Sequence, residues 1–561
     1  MKYFNQSKGI VFGLLFCFFV IKISCVFAQE AGLERHLNQN KTKELLNAKG
    51  FVFNDNNLNG LKDKHEKGIK GVLISNGKEL VSTDAKGFYS IPVGNDTIIF
   101  YVKPRGWKSP VNNDNIPQFF YIHKPNGSPK NVQYPGVAPT GKLPAEINFP
   151  LYKSKKTKQF KVLIFGDPQP YSFEDLNYYA NDIVKELIDT KVFSFGMTMG
   201  DIVGNDLSLF SPVNKVTAKI GIPWYYVLGN HDINFEASTD ELSDESYERI
   251  YGPPTYAFVY GGVHFIVIDN VIYKGQNSKK NYIGGLREDQ LQFVENYLKT
   301  VSKKELVVLN MHIPLAQNSK TFRQSDQKRL FDLLKDFPYT LSISGHTHTQ
   351  NNVFFHQESS DWDQNKPHHH FNVGTTSGSW WKGMKNENGL PHSMMRDGTP
   401  NGYAYLTFKG SDYMIDWKVA GSSKKHKMNI FIPQNIVEGA TEKTKLVVNY
   451  FMGSEKTRVT YRIKGVSDWI EMKREFMEDP FFVKLKERFF RLTSKQNSSK
   501  TGAFTVADLP KTKSSHIWTA LLDKELKAGI YVVEVKIKDR YQRYFFDEHI
   551  IRVNQKNKPK S

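Results

Sequence analysis

The chain has 561 residues, 39% of them hydrophobic and 13% aromatic, with a formal net charge of +19. That length exceeds what one core organises, so about three or four domains are expected, and the apolar share excludes a wholly disordered chain. No Lys/Arg block of nucleic-acid-binding type occurs, so no specific nucleic-acid partner is expected.

Residues 1–28 read as a cleaved signal peptide. Lys2 and Lys8 give a positive start, residues 10–28 are apolar apart from Lys22, and Val26-Phe27-Ala28 is a small-residue cleavage site. The unbroken apolar run, residues 10–21, is short for a membrane-spanning anchor, and the residues before Cys25 do not form a lipobox. The protein is therefore expected to be exported, to the periplasm or to the cell surface and medium. Cys17 and Cys25 leave with this segment, so the mature chain would hold no disulfide and no thiolate site. Lys2, Lys8 and Lys22 leave too, lowering the charge to +16. That balance suits an anionic envelope surface or a phosphorylated substrate, although lysine spread over all faces accounts for it as well.

Residues 29–47 read as a polar linker. Residues 48–152 read as a small β-sandwich, from alternating apolar positions such as Val72 and Ile74 and turn pairs Asn76-Gly77 and Lys86-Gly87. Within it, DNNLNGLKDKHE matches a twelve-position calcium loop. Asp55, Asn57 and Asn59 fall at positions one, three and five, Gly60 at six, Asp63 at nine and Glu66 at twelve. The flanking helices of an EF-hand are missing, so the expectation is a structural calcium site in a β-domain; a hairpin loop rich in Asn, Asp and Gly is the plainer alternative.

After a charged linker, KSKKTK, the period changes. Between residues 159 and 423, buried strands alternate with helical stretches, among them Ile183–Ile188, 291–297 and 325–337, which argues for a layered α/β domain. Five of the strands end in polar groups: Asp167 and Gln169 after FKVLIF, Asp201 after FSFGMTMG, Asn230, His231 and Asp232 after WYYVLG, His312 after ELVVLNM, and His346 and His348 after YTLSISG. The carboxyl edge of such a sheet is where sites are built. Mixed oxygen and nitrogen ligands suit Mn, Fe or Zn, and a set of this size with one shared carboxylate suits two ions, which together clamp a phosphoryl group.

These blocks resemble the pattern of the calcineurin-like metallophosphoesterase superfamily: DPQ at 167–169, GDIV at 200–203, GNHD at 229–232, MHIP at 311–314 and GHTH at 345–348. The resemblance extends to bacterial exported members with accessory β-domains on both sides. It implies a four-layer α/β/β/α sandwich flanked by two all-β sandwiches. It also implies hydrolysis of phosphomonoesters or phosphodiesters by a metal-bridging hydroxide. By position, Asp167, Gln169, Asp201 and His348 would hold one ion; Asp201, Asn230, His312 and His346 would hold the other, with Asp201 bridging. His231 would not ligate but would face the phosphate and stabilise charge or protonate the leaving oxygen, while Asp232 would orient backbone. Two departures stand out. Gln169 replaces a common histidine, and Gly204 stands where phosphoprotein phosphatases carry an Asp, which leaves Asp206 as the candidate carboxylate partner for His231.

Further along, Trp380, Trp381, Arg396 and Asp397 are expected near the substrate, with packing between domains as the alternative for the tryptophans. The triplet His368–His370 offers extra metal ligands or a solvated loop, and the loop is the expectation. From residue 424 to 555 helices fade and strand patterns return, which suggests a second β-sandwich interrupted by an amphipathic stretch around 472–490. The competing functional class is a non-catalytic envelope-binding protein built on a phosphoesterase scaffold.

Overall fold

The computed structural model describes residues 46–275, 281–315, 321–495, 508–510 and 512–556. The expected signal segment and most of the 29–47 linker lie outside the described residues. The chain divides into two compact units, residues 1–47 with 92–94 and residues 48–91 with 95–561. Among the described residues, the smaller unit supplies only Gly94, the start of strand Leu46–Asn54 and the end of strand Phe88–Val93. The larger unit carries all that follows.

Its first part is two four-stranded sheets. One runs Phe88–Val93, Leu46–Asn54, Phe149–Lys153, Trp107–Lys108; the other runs Leu80–Ser82, Leu73–Ser75, Thr97–Tyr101, Phe120–His123. Alternating residues of each sheet meet in a shared core, where Tyr101 packs edge-on to Phe149 at 5.2 Å. Phe100 also reaches Phe293 of the next domain at 5.6 Å, and buried Lys124 pairs there with Glu245 and Glu248.

The central part holds two facing sheets. The five-stranded one runs Trp224–Val227, Phe195–Met199, Gln159–Phe165, Gly402–Lys409, Asp412–Val419, its first three strands parallel and its last two an antiparallel hairpin. The six-stranded one runs Tyr256–Tyr260, Val263–Val267, Leu306–Asn310, Thr340–Ser344, His368–Asn372, Asn351–Phe355, with four parallel strands in the middle. Strands buried on both faces read as near-continuous apolar runs, and Phe195–Met199, Val263–Val267 and Leu306–Asn310 are buried throughout, with Thr198, His264 and Asn310 the polar members. Phe195 of one sheet meets Phe258 and Phe265 of the other at 5.4 and 5.3 Å. Helices Glu288–Leu298 and Gln324–Leu334 cover the six-stranded sheet through Tyr297, 2.7 Å from the His264 ring, and Phe331, 5.1 Å from Phe355. Tyr179 covers the other sheet over Phe165.

The last part has a four-stranded and a five-stranded sheet, interrupted by helix Pro480–Lys495. The architecture is a mixed α/β sandwich flanked by β-domains. Two local expectations need correction. The helix expected at Ile183–Ile188 is a π turn, Tyr179–Ile183, followed by a 3-10 turn, Val184–Leu187, after a short α-helix, Phe173–Tyr178. His368–His370 is not a solvated loop: all three residues are buried in a strand at the heart of the six-stranded sheet.

Candidate metal centre and active site

The parallel strands of both sheets end at one edge, and their following loops converge there. Gln159–Phe165 delivers Asp167 and Gln169, Phe195–Met199 delivers Asp201, Trp224–Val227 delivers Asn230 and His231, Leu306–Asn310 delivers His312, and Thr340–Ser344 delivers His346 and His348. Five of these residues, Asp167, Gln169, Asp201, His346 and His348, adopt left-handed φ between 36° and 75°. Such conformations are strained for residues with a side chain and persist where surroundings enforce them. Close approach explains the neighbouring glycines. A Cβ on Gly200 would lie 2.3 Å from His312 Nδ1, and one on Gly345 would lie 2.3 Å from Asp167 Oδ1.

Two sets of acceptor atoms face each other. His312 donates its Nδ1 proton to the Met199 carbonyl at 2.8 Å, which turns its Nε2 lone pair inward. That Nε2 lies 3.2 Å from Asp201 Oδ1, 3.0 Å from Asn230 Oδ1 and 3.2 Å from His346 Nδ1. The ligand atoms of Asp201, His312 and His346 all lie within 4.8 Å of one another. In the second set, His348 donates Nδ1 to the Gly378 carbonyl at 2.8 Å, so its Nε2 lone pair meets Gln169 Oε1 at 2.9 Å and Asp167 Oδ2 at 3.5 Å. Lone pairs turned on lone pairs at this depth repel unless a cation lies between them. Their mixed oxygen and imidazole chemistry fits divalent transition metals. Asp167, Gln169, Asp201, Asn230, His312 and His348 are all nearly inaccessible to solvent, and His346 is half-buried.

Protonation agrees with this fit at His346, His348 and Asp201, whereas Asp167 and His312 each hold a proton that a bound ion would displace. Burial, aided by neighbouring imidazoles, holds His346 and His348 down to about 3, so both are neutral and ready to ligate. Burial would raise the Asp201 carboxyl, but His312 and His231 outweigh it and keep it below the usual carboxylate range. Burial pushes Asp167 up to about 8. His312 goes up to about 9, because Asp201 and Asp167 outweigh its burial.

His231 stands at the rim, with Nε2 3.9 Å from Asp201 Oδ2. Its Nδ1 meets Asn205 Oδ1 at 2.6 Å. The expected partner, Asp206, instead caps the Leu207–Leu209 turn through Ser208; the side chain one residue earlier reaches the ring because Asn205 is itself left-handed. Gly204 is accounted for by Tyr171, whose ring would lie 2.6 Å from a Cβ at 204 and packs edge-on to His231 at 6.1 Å. Asp232 accepts the backbone N–H groups of Ile202, Val203 and Gly229, and so locks two of the strand ends together.

Of the four residues expected near substrate, the structure brings one into the cleft. Trp380 stacks on His348 at 4.0 Å and donates its indole N–H to Gln169 Oε1 at 2.7 Å. Arg396 is half-buried and spends its guanidinium on the Thr347 carbonyl, inside the GHTH loop. Trp381 and Asp397 do not line the cleft. Trp381 is 3% exposed and packs against Tyr178. Asp397 is 1% exposed, accepts the Gln350 and Thr399 N–H groups, and meets His516 of the last domain at 3.1 Å. Sequence reasoning missed Asn205, Tyr171 and Tyr282, the last edge-on to His346 at 6.1 Å. It also missed Asn270, which accepts the N–H groups of His312 and Ile313 and donates to the Ile313 carbonyl at 2.6 Å. Asn270 was findable, since it follows a sixth buried strand, VHFIV, as Asp269-Asn270.

The twelve-residue loop is wound around its own acceptors. Buried Asp55 accepts N–H groups of Leu58 and Gly60 at 2.7 and 2.8 Å, and Glu66 accepts those of Asn56 and Asp63 at 2.7 and 3.2 Å. The Asn57 and Asn59 amides both turn to Asp63 Oδ2.

Comparison with known proteins fits this geometry. Residues 160–350 match the model of the calcineurin-like phosphoesterase, 56–136 that of its N-terminal domain and 370–545 that of its C-terminal domain. The chain belongs to the calcineurin-like phosphoesterases and is a metal-dependent phosphoric ester hydrolase. Similar solved structures include a purple acid phosphatase, PPD1, from yellow lupin (Lupinus luteus) seeds, at 12% identity over 62% of this chain and 67% of that one, TM-score 0.33. A structure of PhoD is similar at 12% identity over 73% of this chain and 85% of that one, TM-score 0.35. No curated protein matches the chain.

Proposed function

We propose that the protein is an exported phosphoesterase with a dinuclear centre, acting on phosphomonoesters or phosphodiesters outside the cytoplasm. What carries this reading is the facing of two acceptor sets, Asp201–Asn230–His312–His346 and Asp167–Gln169–His348, beside a half-buried His231. The first set would hold one divalent ion and the second the other, with Asp201 shared. Ions of the Mn, Fe or Zn type there supply Lewis-acid polarisation of a phosphoryl oxygen and lower the pKa of water. The chain's own groups do the rest. Asn205 fixes the His231 ring, so that Nε2 faces the cleft and delivers a proton to the leaving oxygen. Tyr171, Tyr282 and Trp380 form an aromatic rim that shields the site from bulk water and brackets the substrate's leaving group. Export rests on residues 1–28; among the described residues no helix is long and apolar enough to cross a membrane. The basic mature chain suits attachment to an anionic envelope surface. A structural calcium ion is proposed for Asp55, Asn57, Asn59, Asp63 and Glu66.

The test is turnover of a chromogenic phosphomonoester and a phosphodiester by metal-stripped protein given Mn²⁺, Fe²⁺ or Zn²⁺. Metal-dependent turnover of either supports the reading. Absence of turnover with two ions bound per chain returns the protein to the envelope-binding class. Cell fractionation, with the mature N-terminus found at Gln29, tests export.

A further inference from the structure

The GHTH loop poses a mechanical problem. His346 and His348 have φ of 75° and 49°, and backbone of that kind relaxes unless something enforces it. Behind the loop, strands Thr340–Ser344 and His368–Asn372 run parallel, with Ser342 opposite His370 and Ser344 opposite Asn372. Side chains of a strand alternate in direction, so Thr340, Ser342 and Ser344 share a face with His368, His370 and Asn372. Hydrogen bonds join them in one unbroken ladder. Thr340 Oγ1 meets His368 Nδ1 at 2.8 Å, His368 Nε2 meets Ser342 Oγ at 2.7 Å, Ser342 Oγ meets His370 Nδ1 at 2.7 Å, and His370 Nε2 meets Ser344 Oγ at 3.0 Å.

The far end sets the direction of every bond. The Thr349 carbonyl can only accept, so the Asn372 amide nitrogen must face it, at 2.7 Å; the second amide hydrogen goes to Thr347 Oγ1, also at 2.7 Å. Asn372 Oδ1 therefore accepts from the Ser344 hydroxyl at 3.0 Å. Having spent its one hydrogen, Ser344 must accept from His370 Nε2–H, and the same logic passes back through Ser342 and His368 to the Thr340 hydroxyl. Both imidazoles are neutral Nε2–H tautomers, and burial holds both down to about 3. Polarised chains of this kind strengthen one another. The ladder ends on Thr347, the residue between His346 and His348, and Arg396 grips the Thr347 carbonyl from another direction.

We propose that the Ser342–His370–Ser344–Asn372 ladder is a positioning device that holds the GHTH loop in its left-handed conformation and so aims His346 and His348 into the metal centre. This rests on reading those two histidines as ligands, but the loop geometry can be tested without metal. Asn372→Asp is isosteric and keeps the acceptor for Ser344, yet loses both donors to the loop. In the metal-free protein, side-chain ¹⁵N–¹H spectra should show the His346 and His348 signals displaced, with the backbone spectrum elsewhere unchanged. Unmoved signals in a folded variant would overturn the proposal. Titrated with Mn²⁺ well below its melting temperature, the variant should bind about 10–100-fold more weakly than wild type, the usual effect of losing a group that orients a ligand. A variant that merely loses stability would keep its affinity there, and unchanged affinity would likewise overturn the proposal. If wild type binds no metal while the variant still displaces the two signals, the ladder stands and the ligand reading fails. Ser344→Ala, which frees Asn372 to rotate and takes the acceptor from the His370 Nε2–H, carries the same readouts if Asn372→Asp does not fold.

Discussion

The central cleft and the Asp55–Glu66 loop are both clusters of acceptors, yet they are built in opposite ways. The cleft gathers residues from 167 to 348, delivered by the ends of five different strands, and buries most of them. The loop takes twelve consecutive residues, mostly exposed, and holds them by hydrogen bonds to their own backbone. In the cleft the fold positions the acceptors, so losing one should damage chemistry while the sheets stand. In the loop an ion would position the chain, so losing a ligand damages local stability and leaves chemistry alone.

The sharpest way to break that contrast is Asp201→Asn. Activity should fall to background and metal content should fall with it, while the melting temperature of the metal-free protein changes little; two ions still bound per chain would remove Asp201 from the shared position. Next comes His231→Ala, which should cost about 10²–10⁴ in kcat, the usual general-acid magnitude, with metal content intact. Loss of metal in that variant would make His231 a ligand. Asn205→Ala should cost about 10-fold, in line with loss of an orienting partner, and an unchanged pH–rate profile would show that Asn205 does not set the His231 ring. Gln169→His should tighten the second set for Zn²⁺ over Mn²⁺, because imidazole is the softer ligand. Equal affinities and metal rank order in both proteins would place Gln169 outside the metal shell. The smallest effect belongs to the loop. Calcium at 100-fold over its dissociation constant should stabilise wild type by about 2.7 kcal/mol, and Asp55→Ala should abolish that response without changing turnover. Identical melting of wild type with calcium and with chelator would leave the loop a turn.

Legibility in the sequence followed the same division. The five strand ends were readable because a buried run closing in a polar group is a one-dimensional signal. The spacing of acceptors in the Asp55–Glu66 loop was readable because it is local. What failed depends on pairing across the fold. HHH looked like a solvated loop because its hydroxyl partners, Thr340, Ser342 and Ser344, come from a strand about 28 positions earlier. Neighbouring residues such as Trp380 and Trp381, or Arg396 and Asp397, look equivalent in sequence, yet their side chains leave the backbone in different directions. One of each pair reaches the cleft or its loop and the other is buried elsewhere. The choice of Asn205 over Asp206 turned on a single left-handed residue that no spacing reveals.

The C-terminal family match begins at residue 370, inside a strand of the six-stranded sheet, and takes in the Gly402–Val419 hairpin of the other sheet. Gln350, just past the GHTH loop, donates its side chain to the Phe451 carbonyl, and Asp397 meets His516. Excision of the last domain at residue 423 would leave the buried Gln350 amide, two residues from His348, without its acceptor, at about 1–3 kcal/mol, and would take His516 from Asp397, which keeps the Gln350 and Thr399 N–H groups. The border drawn by sequence comparison marks where one pattern of residues gives way to another, not a seam along which the molecule comes apart. A catalytic fragment trimmed at residue 423, which keeps both central sheets, is expected to lose metal affinity before it loses its fold.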